Sequence, residues 1–373
     1  PALWDPAPSC NYSTRGTAVT HVTIHTVQGS YAGAISWAKN CSSNVSYHYV
    51  IRSSDGQITQ MVYESIKAWH VGSANPYTIG YEHEGYVSNP AWYTTAMYNA
   101  SAALSVDVTQ NTTYGISPLR TYYGPSSSGT NTLGSCTRIK GHQHYPNQSH
   151  TDPGINWDWE RYYRLINGTP TPTTLTASSG NFYDSGGSTG NYSNDERTLT
   201  LISPTGANSV TLNFTTFDLE TNYDYLFIYD GNNVNAPLIG KYTGTNSPGT
   251  VTSSGGSLLV EFRSDCGVTN PGWAASWTSS GTPNNPSDTV APTSSISVAG
   301  NWQTQDFNST FTDADVGKGV YQRFYQVIHH NNIDWRATAN NGFFSDNFNG
   351  TTIHPDWISV TGTWINNGGF LEQ

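Results

Sequence analysis

The sequence predicts a multidomain protein: a mixed α/β domain first, a β-sandwich second and an all-β region at the C-terminal end. Three observations predict it. Residues 1–168 switch between period-two alternation and helix-spaced apolar positions. A Pro/Thr-rich stretch follows at 169–177. From there on, short β-patterned runs are separated by Gly, Asn and Asp turns.

The first domain is read as a mixed central sheet flanked by helices. In Val19–His25, Val22 and Ile24 alternate with His21, Thr23 and His25, as in a strand. Tyr31–Asn40 reads as a short helix. Tyr47–Ile51 and Gln57–Val62 flank the turn signal Ser54-Asp55-Gly56 and predict a hairpin. Ile79–Gly85 is a further strand. Met97, Ala100, Leu104 and Val108 recur at helical spacing, and Trp159, Tyr162 and Ile166 predict a closing helix. Thr169–Thr174 reads as a stiff, exposed linker. Residues 178–280 read as the sandwich, with strands at Val210–Phe214, Tyr225–Tyr229, Leu258–Phe262 and Trp273–Trp277. A second linker (281–292), a small β module (293–342) and the opening strands of a further, truncated β domain (343–373) complete the expectation.

Charged residues make up only 11% of the 373, against about a quarter in an ordinary soluble domain. Aromatics reach 13%, which argues against disorder and suits glycan-binding surfaces. The net charge of −11 leaves no basic footprint for nucleic acid. No apolar run is long enough to span a bilayer. The abrupt start at Pro1 is read as a mature N-terminus after removal of a secretion signal, which places the protein in the secreted or cell-envelope-exterior class. Cys10, Cys41, Cys136 and Cys266 form no Cys-x-x-Cys pair; one disulfide among the first three is expected, with Cys10–Cys41 the favoured pairing and Cys266 left alone.

Three side chains read as metal ligands. His25 ends a strand, His142 lies in Gly141-His142-Gln143-His144, and Asp152 lies in His150-Thr151-Asp152-Pro153-Gly154. Two imidazoles and a carboxylate leave net positive charge on a zinc ion and an open position for water or a carbonyl. His144, two residues on, is the rival to His142.

The ordered pieces Val22-Thr23-Ile24-His25, Ser46-Tyr47-His48-Tyr49-Val50-Ile51, Asp55-Gly56-Gln57-Ile58, Ala68-Trp69-His70-Val71-Gly72, Ile79-Gly80-Tyr81-Glu82-His83-Glu84-Gly85, Gly141-His142 and Thr151-Asp152-Pro153-Gly154 resemble the zinc-dependent N-acetylmuramoyl-L-alanine amidases, which share a fold with peptidoglycan recognition proteins and phage lysozyme-type amidases. The resemblance covers most of 15–166. It implies zinc on His25, His142 and Asp152, and Glu82 as the catalytic carboxylate, with Glu84 the alternative on the same strand face. It implies an oxyanion role for Tyr47 and for His150, where many family members carry Lys. Trp69, His70 and Asn75 are expected to line the peptide groove.

Residues 178–280 resemble a CUB domain through Asn181-Phe182-Tyr183-Asp184, Phe217-Asp218-Leu219-Glu220, Tyr223-Asp224-Tyr225-Leu226, Ile228-Tyr229-Asp230-Gly231, Phe262-Arg263-Ser264-Asp265 and Gly272-Trp273. That implies a calcium site at Glu220, Asp224 and Asp265. The expected function is bacterial cell-wall degradation: hydrolysis of the amide between N-acetylmuramic acid and L-alanine, with peptidoglycan or muropeptides as substrate. A non-catalytic peptidoglycan receptor, or a surface adhesin using the CUB-like and C-terminal modules to bind a glycan or protein, are the alternatives. The complete ligand set favours catalysis.

Overall fold

In the computed structural model of the chain, which describes residues 2–281, 293–297, 311–314, 365–366 and 371–372, a six-stranded sheet frames the first part. Its chain order is β1 (Leu3–Trp4), β2 (Tyr12–Thr14), β3 (His21–Thr26), α1 (Tyr31–Lys39), β4 (Tyr49–Ile51), β5 (Ile58–Gln60), β6 (Ile66–Ala68), β7 (Thr78–His83), α2 (Thr95–Gln110), β8 (Ile139–Gly141) and α3 (Trp159–Asn167). The sheet order is β1-β5-β4-β7-β3-β8, with β2 and β6 paired separately. β4, β7, β3 and β8 run parallel to one another, and β4 pairs antiparallel with β5 in the expected hairpin.

Alternation along the strands divides the side chains between two faces. Val22, Ile24, Ile51, Ile79 and Tyr81 pack against Met97 and Leu104 of α2 and Trp159 and Tyr162 of α3. Val50 faces the other way, into a smaller cluster with Tyr31, Ala34 and Ala38 of α1. Each helix begins on a side-chain cap: Ser30 Oγ accepts from Gly33 N, Thr94 Oγ1 from Met97 N, and Asp158 Oδ1 from Arg161 N.

β9 (Thr173–Leu175), β10 (Ser179–Tyr183), β11 (Arg197–Ile202), β12 (Ser209–Asp218), β13 (Tyr225–Tyr229), β14 (Leu238–Tyr242), β15 (Thr250–Thr252), β16 (Leu258–Arg263) and β17 (Gly272–Ser280) form two sheets, β10-β17-β12-β15 and β14-β13-β16-β11-β9. Between them lies a core that includes Leu212, Phe214, Leu226, Phe262 and Trp273. The linker expectation needs correcting at its end. Thr173–Leu175 pairs parallel with β11, because its β-branched residues complete an otherwise open edge.

The chain divides into two compact units, 1–284 and 285–373. Within the first, the outer face of the five-stranded sheet is itself covered. Leu199, Tyr225, Phe227, Tyr229 and Leu259 cluster with Tyr123 and Tyr163 of the α/β part. Glu261, fully buried, pairs with Arg263 (2.8 Å) and Arg197 (3.2 Å) and lies 3.7 Å from Arg164 of α3. Cys10–Cys41 is a disulfide as expected. Cys266 is not alone: it is bonded to Cys136, which joins the sandwich to the α/β part. In the second unit, β18 (Thr293–Ile296) pairs antiparallel with β19 (Phe311–Ala314), and β20 (Ile365–Asn366) with β21 (Leu371–Glu372). The linker 281–292 beyond Gly281, and most of the expected modules at 293–342 and 343–373, lie outside the described residues.

Candidate active site

Strand register assembles the site. His25 of β3 and Glu82 of β7 are partners on adjacent parallel strands. On the other side of β3, Ile24 pairs with Gly141, the last residue of β8, so the next residue, His142, emerges beside His25. Three side chains thus meet at the carboxyl ends of parallel strands, where open α/β sheets place their ligands. Asp152 arrives from the loop before α3. A ligand atom from each of His25, His142 and Asp152 lies within 4.8 Å of the others.

The donor set fits a divalent cation. His142 Nε2 lies 2.9 Å from Gln148 Oε1, which can only accept, so the neutral ring carries its proton there. Its Nδ1 is left as a lone pair 3.3 Å from Asp152 Oδ1. His25 Nδ1 lies 3.0 Å from the other carboxylate oxygen, Oδ2. Burial above all lowers the His25 pKa to about 4, which keeps the ring neutral and able to ligate. Glu82 Oε2 is buried with no hydrogen-bond partner. Burial, and secondarily the charge of Asp152, push the Glu82 carboxyl well above its ordinary range. A cation at this centre would offset both effects.

The centre opens into a groove of about 740 Å³. Trp69 and Asn75 line it, as do Trp37 and Asn44, which the sequence reading did not single out. Trp69 Nε1 donates to Ser13 Oγ at 3.1 Å. Asn75 Oδ1 accepts from His70 N and Val71 N, so its carbonyl holds the loop while the residue borders the groove. His70 touches the groove too, but its ring lies against His25, Nδ1 to Nε2 at 2.9 Å.

Tyr47 lines the groove, with its hydroxyl donating to the Ala34 carbonyl. His150 is largely exposed, stacked on His142 at 4.6 Å, with Nδ1 3.9 Å from Asp152 Oδ1. Glu84 is placed away from the centre: its two oxygens accept from Tyr31 N and Ser53 N, each at 2.9 Å. The rival His144 is buried between Tyr122 and Trp159, its Nδ1 accepting from Gly141 N.

Two supports carried no sequence signal. Arg15 donates to the carbonyls of Glu64, Pro76, Ile66 and Thr78, pinning the loop that carries His70. His83 Nδ1 donates to the backbone carbonyl of His25 at 2.8 Å. A second cluster, Glu220, Asp224 and Asp265, lies in the sandwich. Asp224 Oδ2 accepts from the Tyr192 hydroxyl and Oδ1 from Asp265 N, while Glu220 Oε2 is buried without a partner. Burial, with lesser repulsion from Asp265 and Glu220, raises the Asp224 pKa to about 7.

Residues 15–155 match the family described as N-acetylmuramoyl-L-alanine amidase, and residues 172–277 match the CUB domain. The chain is 44% identical over 168 residues to N-acetylmuramoyl-L-alanine amidase A of Achromobacter lyticus, covering 45% of this chain and 94% of that protein. It is 34% identical over 137 residues to human cubilin, covering 36% of this chain and only 4% of cubilin. Among solved structures, Staphylococcus aureus hydrolase AmiA in complex with its ligand aligns at a TM-score of 0.34 and 18% identity, covering 45% of this chain and 82% of that one. The MASP-1 CUB2 domain bound to Ca2+ aligns at 0.25 and 26%, covering 28% and 96%.

Proposed function

The chain belongs to the N-acetylmuramoyl-L-alanine amidase family, and from that premise we propose that its groove hydrolyses the amide joining the lactyl group of N-acetylmuramic acid to L-alanine in peptidoglycan, with zinc held by His25, His142 and Asp152. The observation that carries this reading is the convergence of the three ligand atoms with Glu82, whose buried Oε2 has no protein partner.

Bound zinc supplies a positive charge that polarises the scissile carbonyl and acidifies water. The residues around it do the rest. Glu82 takes a proton from the attacking water and returns it to the departing alanine nitrogen, a task its raised affinity for protons suits. His150, at the mouth, donates to the developing oxyanion. Tyr47 assists from the groove wall once its hydroxyl turns from Ala34. Trp69, His70 and Asn75 shape the peptide side.

Glu220, Asp224 and Asp265 hold calcium, whose charge relieves the mutual repulsion of the three carboxylates. The protein works outside the cell, in keeping with its two disulfides. Any glycan or protein partner of the sandwich uses surfaces other than the face buried against the α/β part.

Glu82→Gln tests the assignment. It keeps the side chain's shape and removes its basicity, so the turnover of muropeptides falls by about 10²–10⁴ while zinc content stays at one per chain. Unchanged turnover in the zinc-loaded variant would contradict the role of Glu82.

A further inference from the structure

We infer that His70 and Thr78 are positioning residues that fix the proton of the His25 ring, so that Nδ1 is presented to the metal as a bare lone pair; the inference rests on the zinc reading above. Directionality of the hydrogen bonds carries it. Thr78 Oγ1 has one proton, and at 3.0 Å it gives that proton to the Ala74 carbonyl, which can only accept. The same hydroxyl lies 3.1 Å from His70 Nε2. That nitrogen must therefore donate, which leaves His70 Nδ1 as an acceptor. His70 Nδ1 lies 2.9 Å from His25 Nε2, so His25 donates in its turn.

The chain thus runs His25 Nε2–H to His70 Nδ1, His70 Nε2–H to Thr78 Oγ1, and Thr78 O–H to the Ala74 carbonyl. The reverse sense would require the Thr78 hydroxyl to donate twice. His25 Nδ1 is left unprotonated, 3.0 Å from Asp152 Oδ2. Two acceptors repel at that distance unless a cation lies between them, so the network prepares the ligand before the metal arrives.

Thr78, Gly80 and Glu82 occupy alternate positions of β7 and so share one face. The three have separate tasks: Thr78 orders the His70 proton, Gly80 makes room for the ring, and Glu82 faces the centre. A Cβ on Gly80 would lie only 2.5 Å from His70 Nδ1. Asn75 Oδ1 fixes the backbone of His70 from the other side, at 2.9 Å. His70 thereby replaces the carboxylate or carbonyl that commonly orients a ligand imidazole.

The test is the zinc dissociation constant, measured by chelator competition, together with ring 15N–1H spectra that read each histidine tautomer. Wild type is compared with Thr78→Val, Thr78→Ser, His70→Ala and His25→Ala, all checked for native circular dichroism without metal. Thr78→Val and His70→Ala are expected to weaken zinc by about 10–100-fold, and Thr78→Ser to restore the wild-type value. In the wild type both His25 and His70 carry the proton on Nε2; in Thr78→Val the His70 ring populates both tautomers. If wild type binds zinc, His25→Ala loses it, and Thr78→Val and His70→Ala bind as tightly as wild type, the inference is overturned. If wild type binds no zinc, the metal reading fails and takes this inference with it.

Discussion

Two glutamates two residues apart, Glu82 on β7 and Glu84 just beyond its end, have opposite work. Glu82 has an unpartnered oxygen beside Asp152, whereas both oxygens of Glu84 are used by backbone amides of Tyr31 and Ser53. Hydrogen bonds to a charged group contribute about 1.5–3 kcal/mol each, so losing both in Glu84→Ala should lower unfolding stability by about 3–6 kcal/mol while leaving turnover per folded molecule nearly intact. Chemical denaturation read beside single-molecule-normalised rates checks this; a stable but inactive Glu84→Ala would reverse the assignment. Histidine burial sets the acid limit. Burial above all, then Lys140 and Arg138, lowers the pKa of His21 to about 4, and burial with Arg15 lowers that of His48 to about 3. Both rings bind fewer protons folded than unfolded. Their contribution is therefore complete above about pH 6.5 and is lost as pH falls toward 4, at up to about 3 kcal/mol for His21 alone. Stability measured from pH 7.5 to 4.5 should fall steadily; a flat profile would contradict these buried, neutral rings. At this scale the sequence was informative where type and spacing carry chemistry, as for His25, Glu82, His142 and Asp152. It was silent on Arg15, whose six side-chain contacts are almost all to backbone carbonyls far along the chain, a role no local pattern encodes.

The elements that carry these residues were unequally legible. β3 announces itself by its alternation of apolar and polar residues, and α2 and α3 by helically spaced apolar residues that face the core. β8 did not: it has three residues, and its centre is Lys140, only 2% exposed, with its ammonium 3.1 Å from the Gly134 carbonyl and over the Tyr145 ring. A buried lysine reads as a surface residue until its partners are known. Yet β8 delivers His142. Its last residue, Gly141, is pressed by the loop that carries Asp152, and an added Cβ would lie 2.5 Å from Pro153 Cδ and 3.2 Å from Trp159. Gly141→Ala should therefore displace the Asp152 loop and weaken zinc binding and turnover together, whereas an exposed-glycine control such as Gly16→Ala, where an added Cβ meets nothing, changes neither. Equal zinc affinity in Gly141→Ala would mean that the loop yields freely.

The α/β part and the sandwich work as one body. The five-stranded sheet is buried on both faces, Glu261 gathers arginines from its own sheet and from α3, and Cys136–Cys266 closes the seam. The residue patterns of each part were readable separately, but a bond between cysteines 130 residues apart has no local signature. Removing a cross-link that closes so long a loop typically costs about 2–5 kcal/mol. Cys136→Ser/Cys266→Ser should thus lower the unfolding midpoint, and unit 1–284 should unfold in a single calorimetric transition in the wild type. Two separate transitions in the intact protein would contradict a shared core. The account's central claim is the reaction itself. Its most direct test is the appearance of new L-alanine amino termini from purified peptidoglycan incubated with the protein as isolated, after chelation, and after zinc is restored. The account predicts release by the first, none after chelation and recovery with zinc; a zinc-loaded protein that binds peptidoglycan and frees no alanine terminus would contradict it.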